Sequence, residues 1–148
     1  MKRKLARALP VTAVVGGITC AIAGLGTVTA GSAAAATPTC DGTGIHAAGN
    51  YSVAYIPHYR GGGGTWNCQL AEGSSGKAVT SLQTALKRCY GADISVDGQF
   101  GPRTKSALKS AQRTAGAGSD GIYGPETREK LKWPSQMQDT DKGCNRLT

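Results

Sequence analysis

Apolar residues in the second half of the chain recur every three or four positions, which is the spacing of one face of an α-helix. The first such face ends at a glycine that can serve as a helix C-cap, Gly91. The pattern predicts a helix that follows a loop at residues 73–76 and buries Ala78, Val79, Leu82, Ala85, Leu86 and Cys89.

Two more helices are predicted downstream, and each begins at a proline. Proline suits the first helical position because its φ is preset and no helical hydrogen bond needs its missing N–H. The third helix is short and runs from Pro125 to about Trp133, where Pro134 stops it. The second helix follows Pro102 and turns inward Ala107, Leu108, Ala111 and Ala115.

One eight-residue phrase is written twice, once before each of these two helices. Residues 97–104 read Asp-Gly-Gln-Phe-Gly-Pro-Arg-Thr, and residues 120–127 read Asp-Gly-Ile-Tyr-Gly-Pro-Glu-Thr. Asp-Gly predicts a turn, because Asp accepts hydrogen bonds from nearby backbone N–H groups and Gly tolerates positive φ. The repeat therefore predicts two similar loops, each leading into a helix.

The flanks of this region are less regular. Residues 37–69 have no helical period, although 51–56 alternate well enough for a short strand that Pro57 would end. Residues 134–148 form a polar tail. The predicted fold is mainly α: a small three-helix bundle at residues 70–133 with two similar Asp-Gly loops, preceded by an irregular arm that disulfides tether.

The N-terminus predicts export. A basic start is followed by an uncharged run from Ala8 to Ala36, which ends in four alanines of the kind that signal peptidase cuts. We expect residues 1–36 to be a cleaved signal peptide, which would leave a secreted or wall-associated protein without a membrane contact. An uncleaved membrane anchor is the alternative, because the run is long enough to span a bilayer.

Removal of the signal changes the charge of the protein. Four of the 17 Lys and Arg residues lie in the first seven positions, so the remainder carries 13 basic against 9 acidic residues. This mild positive balance suits an anionic surface, such as a cell wall, or ordinary solubility. It gives no reason to expect a nucleic-acid partner.

The cysteines predict disulfides. Outside the signal the chain has Cys40, Cys68, Cys89 and Cys144, and an even number in an exported chain indicates two bridges with three possible pairings. We favour Cys68–Cys89 and Cys40–Cys144, because the stretch after Cys68 is long enough to run back along the first helix. Zinc is the competing use, but the chain has no Cys-x-x-Cys pair.

The helical half of the chain resembles the peptidoglycan-binding domain of bacterial cell-wall proteins. The resemblance rests on residues 73–83, Gly-Ser-Ser-Gly-Lys-Ala-Val-Thr-Ser-Leu-Gln, on the two repeated phrases and on Gln112, and it covers about residues 70–133. Ala111, Ala117 and Arg128 stand where the family often has larger apolar residues. We expect Trp133 and the arm residues Tyr51, Tyr55 and Ile56 to fill the space.

The resemblance implies a three-helix domain that binds the wall without cleaving it, in a shallow groove between helices and loops. Arg103 could meet a stem-peptide carboxylate, and tyrosines offer flat faces with a hydroxyl. Tyr123 could instead be buried in the core. Arg103 could instead be an ordinary charged residue on a solvent-exposed helix face. The candidate ligand-binding residues are Tyr90, Asp97, Gln99, Arg103, Asp120 and Tyr123.

No catalytic, cofactor or metal site is predicted. The chain lacks His-Glu-x-x-His and Gly-x-Ser-x-Gly motifs. Its two histidines, His46 and His58, could form a metal site with Asp41 only at a spacing that matches no known pattern. Asp97 and Asp120 could pair as glycosidase carboxylates, but their place in the turns already explains them.

The sequence thus favours a secreted, monomeric, non-catalytic module that binds the glycan or the stem peptide of peptidoglycan. A partner or inhibitor subunit that docks on a secreted cell-wall hydrolase is the alternative. A hydrolase of unrecognised kind is a third hypothesis.

Overall fold

The computed structural model describes residues 36–49, 52–136 and 143–148, so the predicted signal peptide lies almost wholly outside the described residues. In this part of the chain, no helix is both long and apolar enough to cross a membrane. The secondary structure consists of the helices α1 (Lys77–Tyr90), α2 (Pro102–Ala115) and α3 (Pro125–Lys130), and the strands β1 (Gly42–Ala48), β2 (Ser52–His58), β3 (Trp133–Gln136) and β4 (Cys144–Asn145).

The four strands form one antiparallel sheet in the order β1-β2-β3-β4. Helix α1 packs against this sheet, and Ser81 Oγ on the helix donates a hydrogen bond of 2.7 Å to the carbonyl of Tyr55 in β2. The prediction of a mainly-α three-helix bundle with an irregular arm is therefore wrong. The predicted arm and tail instead build a sheet that covers one side of the helices.

Strands β1 and β2 form a hairpin, and the glycines and the proline in them explain why the sequence of the arm shows no clear strand pattern. Strand β1 is rich in glycine because side chains lie close over its backbone: a Cβ at Gly44 would stand 2.4 Å from Cη2 of Trp66. Pro57 does not end β2. Strand β3 pairs only with Val53 and Ala54, so Pro57 lies where β2 has a free edge and its missing N–H costs no ladder bond.

The core lies between α1, the inner face of the sheet and the two repeated phrases. The apolar face predicted for α1 is confirmed, and Gly91 ends the helix in the left-handed conformation at φ 65°. The prolines at the starts of α2 and α3 are confirmed as first-turn residues. The large buried side chains are Ile56, Leu70, Leu82, Leu86, Phe100, Leu108, Tyr123, Leu131 and Trp133.

The disulfide pairing predicted from the sequence is wrong. The structure joins Cys40 to Cys68 and Cys89 to Cys144. The chain after Cys68 does not run back along α1, because Leu70 pairs with Tyr123 in the second phrase. Each bridge closes a long loop, of 28 and 55 residues, and each is worth roughly 3–4 kcal/mol in the chain-entropy account.

The end of the chain also differs from the prediction. Helix α3 ends at Lys130, and Trp133 begins β3 instead of ending the helix. Pro134 is part of this strand. Of the tail beyond it the structure describes residues 143–148, where β4 pairs with β3 and the Cys89–Cys144 bridge holds the strand to α1.

Candidate functional site

Each repeated phrase is braced by a buried glutamine on the preceding helix. In the first unit, Nε2 of Gln83 donates to Asp97 Oδ1 at 2.8 Å, to the Gln99 carbonyl at 2.9 Å and to Thr104 Oγ1 at 3.2 Å. Its Oε1 accepts the Gly98 N–H at 2.8 Å. One amide thereby fixes the turn, the strand-like residue after it and the first turn of α2.

The second unit repeats these bonds atom for atom. Nε2 of Gln112 donates to Asp120 Oδ1 at 2.8 Å, to the Ile122 carbonyl at 2.9 Å and to Thr127 Oγ1 at 3.0 Å. Its Oε1 accepts the Gly121 N–H at 2.9 Å. The fixed positions of the phrase are therefore positions that build the loop.

The two aspartates serve these loops. Oδ1 of Asp97 also accepts the Gln99 N–H, and Oδ1 of Asp120 accepts the Ile122 N–H, both at 2.9 Å. The pKa of Asp97 is lowered, first by the Gln83 hydrogen bond and then by the Gln99 N–H. A depressed carboxyl pKa suits a permanently ionised structural acceptor better than a general acid.

Both loops are tied to the segment before α1. The Phe100 N–H donates to the Ser74 carbonyl at 2.9 Å, and the Gly76 N–H donates to the Gly98 carbonyl at 2.8 Å. Leu70 exchanges two with Tyr123, at 3.0 and 2.9 Å. The repeated phrases are thus parts of one framework and are not independent flexible loops.

Tyr123 is a core residue and was wrongly placed among the ligand-binding candidates. Its side chain is fully buried, and its ring meets that of Trp133 edge to face at 5.9 Å between centroids. Burial strongly raises the pKa of the phenol. The hydroxyl finds no hydrogen-bond partner among the described residues.

This orphaned hydroxyl gives a stability prediction. Tyr123→Phe removes a buried polar group without a partner and reproduces the residue that the first phrase carries at Phe100. We expect the free energy of unfolding to rise by about 1 kcal/mol, measured by urea denaturation. Wall binding by this variant serves as the control and should not change. A fall in the free energy of unfolding would mean that the hydroxyl has a hydrogen-bond partner.

The first phrase borders an open groove. One part, of about 510 Å³, lies between the end of α1, residues 91–94 and the outer side of α2. A second part, of about 520 Å³, runs along the first phrase, and Ile94 and Arg103 line both. We call the two parts together the Arg103 groove.

Four of the six predicted ligand-binding residues line the Arg103 groove: Tyr90, Asp97, Gln99 and Arg103. Gln99 and Arg103 are exposed, and Arg103 makes no hydrogen bond or ion pair with the residues that the structure describes. Tyr90 is half-buried, and its hydroxyl accepts the Lys132 N–H at 2.7 Å. Asp120 lies outside the groove, so the second phrase repeats the framework without repeating this surface.

A row of hydroxyls on α2 was missed in the sequence. Ser106, Ser110 and Thr114 line the groove together with Arg103. The four residues stand three or four positions apart, which places them on one helix face. The spacing was visible in the sequence, but small polar residues on a helix are the usual content of any solvated face, so it carried no signal before the groove was known.

Metal ligands are not assembled in the described part of the chain, where no group of three His, Cys, Asp or Glu side chains converges. His46 and His58 instead flank Trp66, with ring centroids at 5.3 and 4.4 Å. Asp41 pairs with Arg60. The arm residues considered for a metal site are thus engaged in packing the hairpin.

The domain thus consists of two identically braced loops joined by helices, and the first of these loops borders an open groove. Residues 75–131 match the family model described as "Putative peptidoglycan binding domain". A Kitasatospora aureofaciens protein, described as "Uncharacterized protein in bpoA1 3'region", is 37% identical over 115 residues, which cover 75% of this chain and 96% of that protein. Residues 75–131 therefore form a domain of the peptidoglycan-binding family.

Longer relatives are wall enzymes. The "Zinc D-Ala-D-Ala carboxypeptidase" of Streptomyces albus G is 46% identical over 79 residues, which are 52% of this chain and 30% of that enzyme. The chain therefore spans less than a third of the enzyme it matches. Among solved structures, a peptidoglycan-binding protein from Clostridioides difficile in complex with glutamine hydroxamate is 27% identical, covers 60% of this chain and 56% of that chain, and has a TM-score of 0.45.

Proposed function

We propose that this protein is an exported, non-catalytic module that binds peptidoglycan through the Arg103 groove. The observation that carries the proposal is that four of the predicted ligand-binding residues line one groove beside the first phrase. The rigid Gln83 brace supports it, because a preorganised surface loses little entropy when it binds.

The groove's chemistry favours the stem peptide. Arg103 stands where both parts of the groove meet, and a guanidinium with unused donors suits a carboxylate. The carboxypeptidase relative is named for D-Ala-D-Ala, and the substrate of a carboxypeptidase ends in a free carboxylate. The hydroxyls of Ser106, Ser110 and Thr114 would meet peptide or sugar groups further along the groove.

Export is part of the proposal. The basic start and uncharged run of residues 1–36 support it, as do the two disulfides, which persist in oxidising compartments. After cleavage of the signal peptide, the proposed mature protein acts as a monomer in or near the cell wall. Mass spectrometry of the protein recovered from culture medium or wall extracts would test this, since an N-terminus at Met1 contradicts cleavage.

Arg103 gives the sharpest test of the groove. We expect Arg103→Ala to weaken binding to insoluble peptidoglycan about tenfold, because a charge-assisted hydrogen bond contributes about 1.5–3 kcal/mol. Cosedimentation with purified wall gives the affinity, and thermal unfolding should be unchanged because the side chain is exposed.

Arg113→Ala is the matched control, since Arg113 lies on the same helix and outside the groove. Equal loss in both variants would reduce the effect to net charge. A wild-type protein that stays in the supernatant would end the wall-binding proposal, and clearing of a wall suspension would show an enzyme.

A hydrolase-docking subunit is the second candidate. The outer face of the hairpin carries the directly opposed pair Ile45 and Tyr55, which are 59% and 46% exposed, with Val53 beside them. In the carboxypeptidase named above, the matching region is part of a longer chain. Retention of a cell-wall amidase on the immobilised protein, abolished by Ile45→Asp, would support docking; absence of retention would remove this candidate.

A further inference from the structure

A second groove lies on the other side of Tyr90 from the Arg103 groove. It measures about 480 Å³ and shares Tyr90 and Thr114 with the Arg103 groove, so the two surfaces are continuous. Its charged lining is entirely basic and consists of Lys130, Lys132 and Arg146. Such a cluster concentrates positive potential where a ligand could enter.

The three cations differ in how far they are already neutralised. Lys130 donates to Glu126 at 2.8 Å and to the Gly116 carbonyl at 2.7 Å. Arg146 makes one long hydrogen bond, of 3.4 Å, to the Ala115 carbonyl. The ammonium of Lys132 has no partner among the described residues. Two of the three charges are therefore available to an anion.

The sheet forces these two charges together. Strands β3 and β4 pair antiparallel with Trp133 opposite Asn145, so Lys132 and Arg146 are the next residues at one end of this ladder. Like charges on neighbouring strands repel each other and weaken the pairing. The Cys89–Cys144 bridge and the bond from Lys132 N–H to the Tyr90 hydroxyl hold the pair in place. A bound anion would convert this repulsion into attraction.

This placement belongs to the part of the chain beyond the family match, which ends at residue 131. Lys132 and Arg146 both lie outside it. The cluster is therefore an addition of the sheet and of the disulfide to the domain, and it does not follow from the family's peptidoglycan groove.

We propose that Lys132 and Arg146, with Lys130 at the rim, bind the phosphate groups of a phosphodiester-linked anionic polymer of the bacterial wall. Several cations around one opening suit a tetrahedral phosphate, which accepts hydrogen bonds from several directions. The protein would then contact two wall polymers, with the peptidoglycan in the adjoining Arg103 groove.

The first test uses the full exported protein and inorganic phosphate, followed by NMR titration of backbone amides. We expect shifts centred on Lys132 and Arg146 and a loss of phosphate affinity of about tenfold or more in Lys132→Gln/Arg146→Gln. Lys77→Gln/Arg113→Gln also removes two positive charges, both outside the two grooves, and as the charge-matched control it should bind phosphate normally. Shifts centred on Arg103, or equal loss in the control, would overturn the proposal.

The second test identifies the source of the phosphate. Cosedimentation is compared for wall before and after hydrofluoric acid removes its phosphodiester-linked polymers. We expect removal to weaken binding of the wild type and to leave the double variant unaffected. Binding of the wild type to phosphatidylglycerol vesicles with an affinity equal to that for untreated wall would assign the site to lipid and overturn the proposal.

The phosphate site and the Arg103 groove can be tested separately, because different substitutions should affect each of them. Arg103→Ala should retain phosphate binding in solution, whereas Lys132→Gln/Arg146→Gln should retain binding to acid-treated wall. Thermal unfolding keeps the test valid, because removing two like charges should not lower the melting temperature in the absence of phosphate. A lower melting temperature in the double variant would show that the two charges stabilise the strands. That result would contradict the proposal that they are left without a partner in order to bind phosphate.

Discussion

Replacing Trp133 with alanine is expected to lower the free energy of unfolding by about 3–5 kcal/mol, the range for truncating a buried tryptophan. The indole is fully buried, and its Nε1 donates to the Arg128 carbonyl at 3.0 Å. Its ring packs on Tyr123, and its backbone pairs with Asn145 in β4. The side chain thus joins α3, the second phrase and the sheet.

Denaturation in urea measures this effect, with Trp66→Ala as the comparison. Trp66 is only half-buried and packs over Gly44 in the hairpin, so its removal should cost less. Trp133→Phe should recover part of the loss, because an aromatic ring is kept although the remainder of the indole and its hydrogen bond are lost. A loss below about 1 kcal/mol for Trp133→Ala would contradict the view that this residue fills the core.

Trp133 also shows what the sequence could say about the core. The family often has a large apolar residue where Arg128 stands, and Trp133 was expected to compensate. The structure confirms that it is buried next to the second phrase. The sequence does not predict its place in a strand, because Pro134 directly after it indicates the end of a helix.

Local signals predicted the helices and loops well. The face of α1 needs only a period of 3.6 residues, and the starts of α2 and α3 need only a proline in the first turn. The glutamine braces were within reach too, since Gln83 and Gln112 stand 14 residues and eight residues before their aspartates. These distances are short enough for a motif to record them.

Non-local partners were not predictable in the same way. Strand β2 pairs with β3 across most of the chain, and no pattern within either segment specifies that contact. The disulfides depended on the same information, because Cys144 reaches Cys89 only through β4. A sheet made of glycine-rich, proline-containing and very short strands gives little alternation to detect.

The candidate site divides along the same line. Arg103 and Gln99 were predicted from the variable places of the first phrase, and both line the groove. Tyr123 was not distinguishable from a surface aromatic, although Phe100 at the matching place suggested burial. The basic pair Lys132 and Arg146 lies at the ends of β3 and β4, which pair within the segment that the sequence predicts to be a polar tail.

Replacing each bracing glutamine with methionine should destabilise the protein by about 3 kcal/mol, with different consequences for function. Methionine keeps the approximate volume but loses all four hydrogen bonds, and it leaves a buried glycine N–H without an acceptor. Gln83→Met and Gln112→Met should cost similar amounts, because the two sets of bonds match. Urea denaturation of both variants measures the cost.

The pH dependence of the free energy of unfolding should show how much of the loss in Gln83→Met comes from the hydrogen bond to Asp97. Gln83 lowers the pKa of Asp97 in the folded protein, so that carboxylate adds stability above its unfolded pKa of about 3.9. The contribution is lost as the pH falls through the lower folded-state pKa. The stability difference between wild type and Gln83→Met should therefore be largest above about pH 5 and should narrow in stronger acid.

Wall binding should separate the two variants, and this is the more informative result. The loop that Gln83 braces carries Asp97 and Gln99 into the Arg103 groove, whereas the loop that Gln112 braces lies outside it. At a temperature where both remain folded, Gln83→Met should bind peptidoglycan more weakly, and Gln112→Met should bind like the wild type. Equal binding by both would mean that the first loop does not touch the ligand, because the two substitutions differ only in which copy of the repeat they release.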